Sequence, residues 1–504
     1  MKSIYKICII ILVYILWIGC ENDLTINPSD QYSEDTFWKN QDEAMSALTG
    51  CYRILQGGAG VNWFLETDMI TPNGLAYNES NGTDAIARGV HNSLTGLITN
   101  RWEVAYRGIG RVNAFLDKIP VVDMDADLKA RASGEAKFLR ALYYFYLVDC
   151  FGGVPLILTA PDPATQSLLP RNSKEEVVEQ VLRDLSEAAE ALPKSYSAAS
   201  DQGRATKGAA LALSARVLLY NERWAEAAEQ AQKVMDLDVY SLFGDYRGLF
   251  LLENEHNPEV IFNVEYQLPR FPHDFDHMIF QLNRPAPLKS LVDSYLMTDG
   301  ESIDVSLSFN PARPYENRDP RLLQTVNCIG YMYNGQLTQP SQVVTTGFGL
   351  KKYTIYTDNE AKAIVSPNSS EINPILIRYA EVLLTYAEAQ NESSGPDASV
   401  YEALNQIRQR PSVQMPVIKP DLNQDEMRIV IRNERRVELA FEGIYYSDIK
   451  RWHIAEEVNN GPVFNYKGEV ASRRTFDKDR DYLWPIPADQ IQLNPNLEQN
   501  PNWY

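Results

Sequence analysis

Apolar residues recur at intervals of three and four through two long stretches of this chain, and that spacing commits both to helices. Between about 126 and 149, Leu128, Ala132, Ala136, Leu139, Tyr143 and Tyr146 fall on one helical face. After Asp42-Glu43, a second stripe runs through Ala44, Leu48, Cys51 with Tyr52, and Leu55. Further helices are expected at 100–117, 173–192, 374–391, 398–410 and 423–442. Ser173 is placed to cap the 173–192 helix, with Glu176 at the capping-box position. Residues 206–235 read as a hairpin of two helices: Ala209, Leu213, Val217 and Tyr220 face inward on the first arm, Asn221-Glu222-Arg223 turns, and Trp224, Ala227, Ala228, Ala231 and Val234 follow.

Two segments break the periodicity. Residues 57–100 open on Gly57-Gly58-Ala59-Gly60 and are rich in Asn, Thr and Ser, with Trp63, Tyr77 and His91 among them. Residues 258–372 carry short apolar runs between prolines and glycines, including the alternating Val260-Ile261-Phe262-Asn263-Val264, which suits a short strand. The expected class is mainly α. Small residues at the close-packing positions of the 206–235 pair resemble a tetratricopeptide-type unit, and similar pairs are expected at 36–56 with 100–117 and within 373–410. One domain spans 36–504: a helical scaffold at 36–257 and 373–457, a loop-rich insert at 258–372 and an irregular tail at 458–504.

The N-terminus is of another kind. Lys2 and Lys6 precede an apolar run from Ile7 to Ile18, which is long enough for a signal peptide and too short to span a bilayer. Gly19-Cys20 closes it and resembles a lipobox, with Trp17 where Leu is usual. That resemblance implies a leader at 1–19, acylation of Cys20 and a tether at 20–35. Glu21, Asn22 and Asp23 resemble the acidic surface-export signal of Bacteroidetes lipoproteins. The net charge of −20 argues against nucleic acid as a partner and against adhesion to anionic lipid headgroups. Membrane attachment therefore falls to the acyl anchor.

Chemistry finds little footing. No GxSxG elbow, HExxH or phosphate loop is present. Acidic pairs suited to glycoside hydrolysis are too plentiful among 67 carboxylates to mean anything. His273-Asp274-Phe275-Asp276-His277 would place two histidines together if helical, but Pro272 precedes them and no third ligand is evident. Cys51, Cys150 and Cys328 form no CxxC pair and read as buried small apolar residues. No cofactor, metal or catalytic set is expected.

Blocks along nearly the whole length resemble the SusD/RagB family of outer-membrane nutrient-binding lipoproteins. They include Thr36-Phe37-Trp38-Lys39-Asn40, Glu135-Ala136-Lys137-Phe138-Leu139-Arg140-Ala141, Phe151-Gly152-Gly153-Val154-Pro155 and Asn317-Arg318-Asp319-Pro320-Arg321. The strongest is Asn433-Glu434-Arg435-Arg436-Val437-Glu438-Leu439-Ala440-Phe441-Glu442-Gly443, followed by Asp448-Ile449-Lys450-Arg451-Trp452. Glu434, Glu438 and Glu442 recur every four residues, and Arg435 and Arg451 are expected to pair with such carboxylates in a buried ion network joining helices and tail. Trp452, Trp484 and Trp503 are read as core anchors.

The resemblance implies a non-enzymatic, surface-exposed, glycan-binding protein that delivers oligosaccharide to a TonB-dependent, SusC-like outer-membrane transporter. The alternative within the family is a peptide-binding lid. Family ligands are held by loops on one side of the scaffold, which here means the 57–100 segment and the insert. Trp63, Asn73, Tyr77 and Asn78 are the first candidates, and Arg270, Phe271, Tyr315 and Tyr331 the second.

Overall fold

In the computed structural model, residues 37–57, 62–77 and 81–503 are described, without the side chains of 62–64. The leader, the tether with Cys20, and Asn78 lie outside the described residues. Eleven helices of seven residues or more occur among the described residues: α1 Gln41–Tyr52, α2 Asn62–Ile70, α3 Gly96–Lys118, α4 Ala126–Phe151, α5 Lys174–Ala191, α6 Lys207–Tyr220, α7 Trp224–Met235, α8 Tyr379–Ser394, α9 Ala398–Arg408, α10 Gln424–Glu438 and α11 Tyr445–Arg451. None of the described helices is long and apolar enough to cross a membrane.

Successive helices pack on one another. α3 lies on α4, α4 on α5, α5 on α6, α6 on α7, α7 on α8, and α8 on both α9 and α10, while α1 lies on α3. The paired-helix expectation therefore holds at all three places. α4 is buried on nearly every face from Ala136 to Phe145, as befits a central helix. Gly108 lets α3 approach it closely: a Cβ there would stand 2.5 Å from the Tyr143 ring. Ser173 and Glu176 form the expected capping box on α5. Cys51, Cys150 and Cys328 are buried and free. Trp452, Trp484 and Trp503 are buried too, Trp484 completely.

The strands are short and pair in antiparallel twos. They are β1 Gly74–Ala76, β2 Val260–Asn263, β3 Pro285–Pro287, β4 Val326–Cys328, β5 Met332–Tyr333, β6 Gln336–Leu337, β7 Phe348–Leu350, β8 Ile375–Arg378, β9 Gly461–Phe464 and β10 Val470–Arg474. The structure differs from expectation most at three places. Residues 375–378 form β8 against β2 before α8 begins, because Ile375 and Ile377 bury their branched side chains on that pairing. α10 stops at Glu438, since Phe441 and Gly443 take positive φ values of 58° and 76° and turn the chain. The tail holds a hairpin, β9 with β10.

The turn after α10 brings Glu442 back to the helix that it was expected to extend. Glu434 accepts from Arg321 at 2.5 Å and Arg408 at 3.0 Å. Glu438 meets Arg321, Arg378 and Arg410 at 2.8–2.9 Å. Glu442 meets Arg378 at 2.6 Å and Lys352 at 2.7 Å, and Glu259 closes the network through Arg378 and Arg410. Burial pushes the Glu438 carboxyl up, but Arg410, Arg378 and Arg321 outweigh it and hold it well below the usual carboxylate range. Arg435 and Arg451 do not join this set. One residue on from Glu434, Arg435 faces elsewhere, and both arginines pair with Glu388 and Asp448. The network ties α10 and β8 to the insert. The tail is held by other means, such as Trp484 Nε1 donating to the Tyr446 hydroxyl at 2.9 Å.

Candidate functional site

α2 carries Trp63 in its first turn and Glu66 three residues later. It ends at Ile70, where Thr71 precedes Pro72, a position that disfavours helix. The chain then enters β1, whose partner β3 comes from the insert: Gly74 faces Pro287, Leu75 Ala286 and Ala76 Pro285. The pairing runs one step further, with the Tyr77 amide donating to the Arg284 carbonyl at 3.0 Å. The two irregular segments singled out in the sequence thus meet here.

A polar floor lies at this junction. Glu66 is buried and accepts a hydrogen bond from Asn81 Nδ2. Asn81 Oδ1 accepts in turn from the Thr83 hydroxyl at 2.8 Å. Arg284 Nη2 stands 3.7 Å from Glu66 Oε1, and its Nε has no hydrogen-bond partner among the described residues. Across the backbone pairing from Arg284, Tyr77 leaves 45 % of its surface exposed. A carboxylate, an amide and a guanidinium held by one another beside an exposed ring can match hydroxyl edges and an apolar face together.

The other candidates fall elsewhere. Asn73 is fully buried and both ends of its amide are engaged: Nδ2 donates to Asp68 at 2.9 Å and Oδ1 accepts from Arg436 at 2.9 Å. It braces α2 rather than lining a surface. Phe271 lies at a cavity of about 230 Å³ with Tyr52, Arg53, Gln56, Arg204 and Glu265, and the Arg53 guanidinium sits 5.0 Å from its ring centre. Arg270 is exposed beside it. Tyr315 and Tyr331 are half-buried, 5.8 Å apart edge to face, and Tyr315 also packs on Phe348 at 5.9 Å. His273 has both ring nitrogens engaged, Nε2 with the Ile372 carbonyl at 2.8 Å and Nδ1 accepting from the Phe275 amide at 3.1 Å. Neither is available to a metal shared with His277.

A larger cavity of about 640 Å³ lies between α5, α6 and α7. Its lining has no aromatic residue, and Arg223 there is already paired with Glu179 and Glu226. Its chemistry does not suit a sugar face. Glu66, Asn81 and Arg284 were not singled out from the sequence. The Asn283-Arg284-Pro285 run is a turn signal that would have marked the last of them.

The fold is that of a mainly helical scaffold protein, with helices stacked in pairs and two loop-rich segments that meet at β1 and β3. The chain belongs to the SusD family. Residues 259–503 match the model described as the SusD family, and residues 27–219 the model described as "Starch-binding associating with outer membrane". A SusD-like protein of Formosa agariphila is 27 % identical over 98 % of this chain and 99 % of its own. The crystal structure of a SusD-like carbohydrate binding protein from Bacteroides fragilis is 28 % identical and superposes with a TM-score of 0.85, covering 92 % of this chain and all of that one. The starch-binding protein SusD of Bacteroides thetaiotaomicron is 31 % identical over 155 residues, 30 % of this chain and 26 % of that protein.

Proposed function

We propose that this protein captures oligosaccharide at the outer surface of the outer membrane and passes it to a TonB-dependent transporter of the SusC type, without altering it chemically. The observation that carries the glycan reading is the floor of Glu66, Asn81 and Arg284 beside the exposed ring of Tyr77. The Bacteroides fragilis relative, described as carbohydrate binding, supports it. Glu66 accepts from Asn81 beside Arg284, and Asp68 accepts from Asn73 and the Gly443 amide, contacts that hold the α2 corner together. Acylation of Cys20, surface display and the transporter partner rest on the leader sequence and the family resemblance.

The test is native affinity electrophoresis of the purified protein through gels containing, in turn, starch, laminarin, xylan, galactomannan and alginate. Retardation by at least one polysaccharide, with no released sugar, is expected. Migration unchanged in all of them, with peptide found by mass spectrometry on protein extracted from outer membranes, would replace the glycan by a peptide.

A further inference from the structure

The C-terminal hairpin reaches the α2–β1 corner of the candidate site at one end and β7 at the other. Arg474, the last residue of β10, is buried. Its Nη1 donates to the Ile70 carbonyl and, at 2.9 Å, to Asn459 Oδ1; its Nη2 donates to the Met69 carbonyl at 3.0 Å and to the Gly74 carbonyl. Met69 and Ile70 end α2, and Gly74 opens β1. The last carbonyls of a helix lack partners within it, and a cation there is favoured by the helix dipole. Among the described residues no carboxylate comes within ion-pair distance of Arg474; its hydrogen bonds go to carbonyl groups of this corner and to Asn459, with Asp84 acting on its charge at longer range.

The other end of the hairpin contacts β7, the strand that packs beside β3. The Tyr466 amide donates to the Thr346 carbonyl at 2.8 Å, and its ring stands 6.5 Å from that of Phe348, the first residue of β7. Gly347 between them has a φ of 81°, and a Cβ there would come within 1.9 Å of the Tyr466 ring. β7 packs beside β3, and β3 beside β1. One hairpin therefore holds the α2–β1 corner of the site at one end and, at the other, β7, which packs beside β3.

We propose that the β9–β10 hairpin is a brace that sets the geometry of the ligand site, with Arg474 as a positioning residue that shapes the α2–β1 corner and never touches the ligand. The effect on affinity rests on the glycan reading above; the effect on the corner does not.

The experiment compares three variants of the purified protein by amide hydrogen exchange, thermal unfolding and affinity electrophoresis. Arg474→Lys keeps the charge but not the fork. It is expected to speed exchange at residues 69–77 and to weaken retention on a retarding polysaccharide, each about tenfold, as befits the loss of charge-assisted hydrogen bonds. Arg216→Lys breaks a bidentate pair with Glu381 in the scaffold and serves as the stability control. It is expected to lower the thermal midpoint without either effect. Tyr466→Ala is expected to speed exchange at residues 347–350, which keeps the proposal open to test should Arg474→Lys fail to fold. Unchanged exchange at 69–77 in Arg474→Lys, or at 347–350 in Tyr466→Ala, overturns the brace. Equal loss of retention in Arg216→Lys overturns it as well. A wild-type protein retarded by no polysaccharide would defeat the glycan reading alone, and the exchange data would still decide the brace.

Discussion

Replacing Glu438 by Gln removes the charge at the centre of the buried ion network while nearly preserving shape. Three guanidinium groups, from Arg321, Arg378 and Arg410, converge on this carboxylate, which is completely buried. Gln cannot accept from all three, and its amide hydrogens would face cations. Breaking a buried charge network by removing one partner costs about 3–5 kcal/mol, because the surviving charges are left without compensation. Unfolding entropy near about 2.1 cal/mol/K per residue over 504 residues amounts to about 1 kcal/mol/K, so the melting midpoint should fall by about 3–5 °C. Differential scanning calorimetry at neutral pH reads this directly. Glu226→Gln, which breaks the exposed pair with Arg223, should shift the midpoint by less than about 1 °C, because exposed pairs contribute about 1 kcal/mol or less. Equal shifts in the two variants would refute the claim that the network, rather than apolar packing around it, joins the insert to the scaffold.

Tyr77→Ala should weaken glycan binding about two- to twelvefold, from loss of a ring contributing about 0.5–1.5 kcal/mol, while the midpoint stays put; isothermal titration calorimetry checks this. Arg284→Ala should weaken binding at least as much, and Phe271→Ala should leave it unchanged in the same titration. Gly108→Ala should destabilise despite a helix-propensity gain of about 1 kcal/mol, because the new methyl meets the Tyr143 ring at 2.5 Å and overpacking costs about 1–3 kcal/mol; urea titration gives the sign. Burial pushes the Glu388 carboxyl up and Arg451, Arg435 and Trp452 bring it down further, so its folded pKa lies below the unfolded one. Glu438 behaves alike. Their stabilisation is complete above the unfolded value of about 4.3 and is lost as pH falls below it, so replacing Glu438 by Gln should lower the midpoint by the same amount at about pH 7 and pH 5 and by less in stronger acid.

The helices were legible because each has a buried stripe at helical spacing and several have readable caps, as Ser173 with Glu176 shows. The end of α10 was not. Glu442 sits at the right interval to extend the helix, and only the left-handed backbone at Phe441, imposed by the tertiary fit, stops it. The β9–β10 hairpin escaped notice because its residues alternate weakly between exposed and half-buried, leaving no apolar face to read. Arg435 and Arg451 were recognised as network members but assigned the wrong carboxylates, since which acid meets which base depends on helix packing rather than spacing.

The site was legible as two segments more than as residues. Tyr77 stands at their junction, whereas Asn73, an equally plausible polar residue four positions earlier, is consumed in bracing α2 against α10. Glu66 could not be separated by composition from the many other carboxylates. Arg284 gains its role only when β1 and β3 pair.

The most direct test of this account is a crystal structure of the protein with an oligosaccharide cut from a polysaccharide that retards it. A sugar ring is expected against Tyr77, with hydroxyls hydrogen-bonded to Arg284 and to Glu66 or Asn81. Sugar density at the Phe271 cavity, or against Tyr315 and Tyr331, with none at Tyr77, would contradict it.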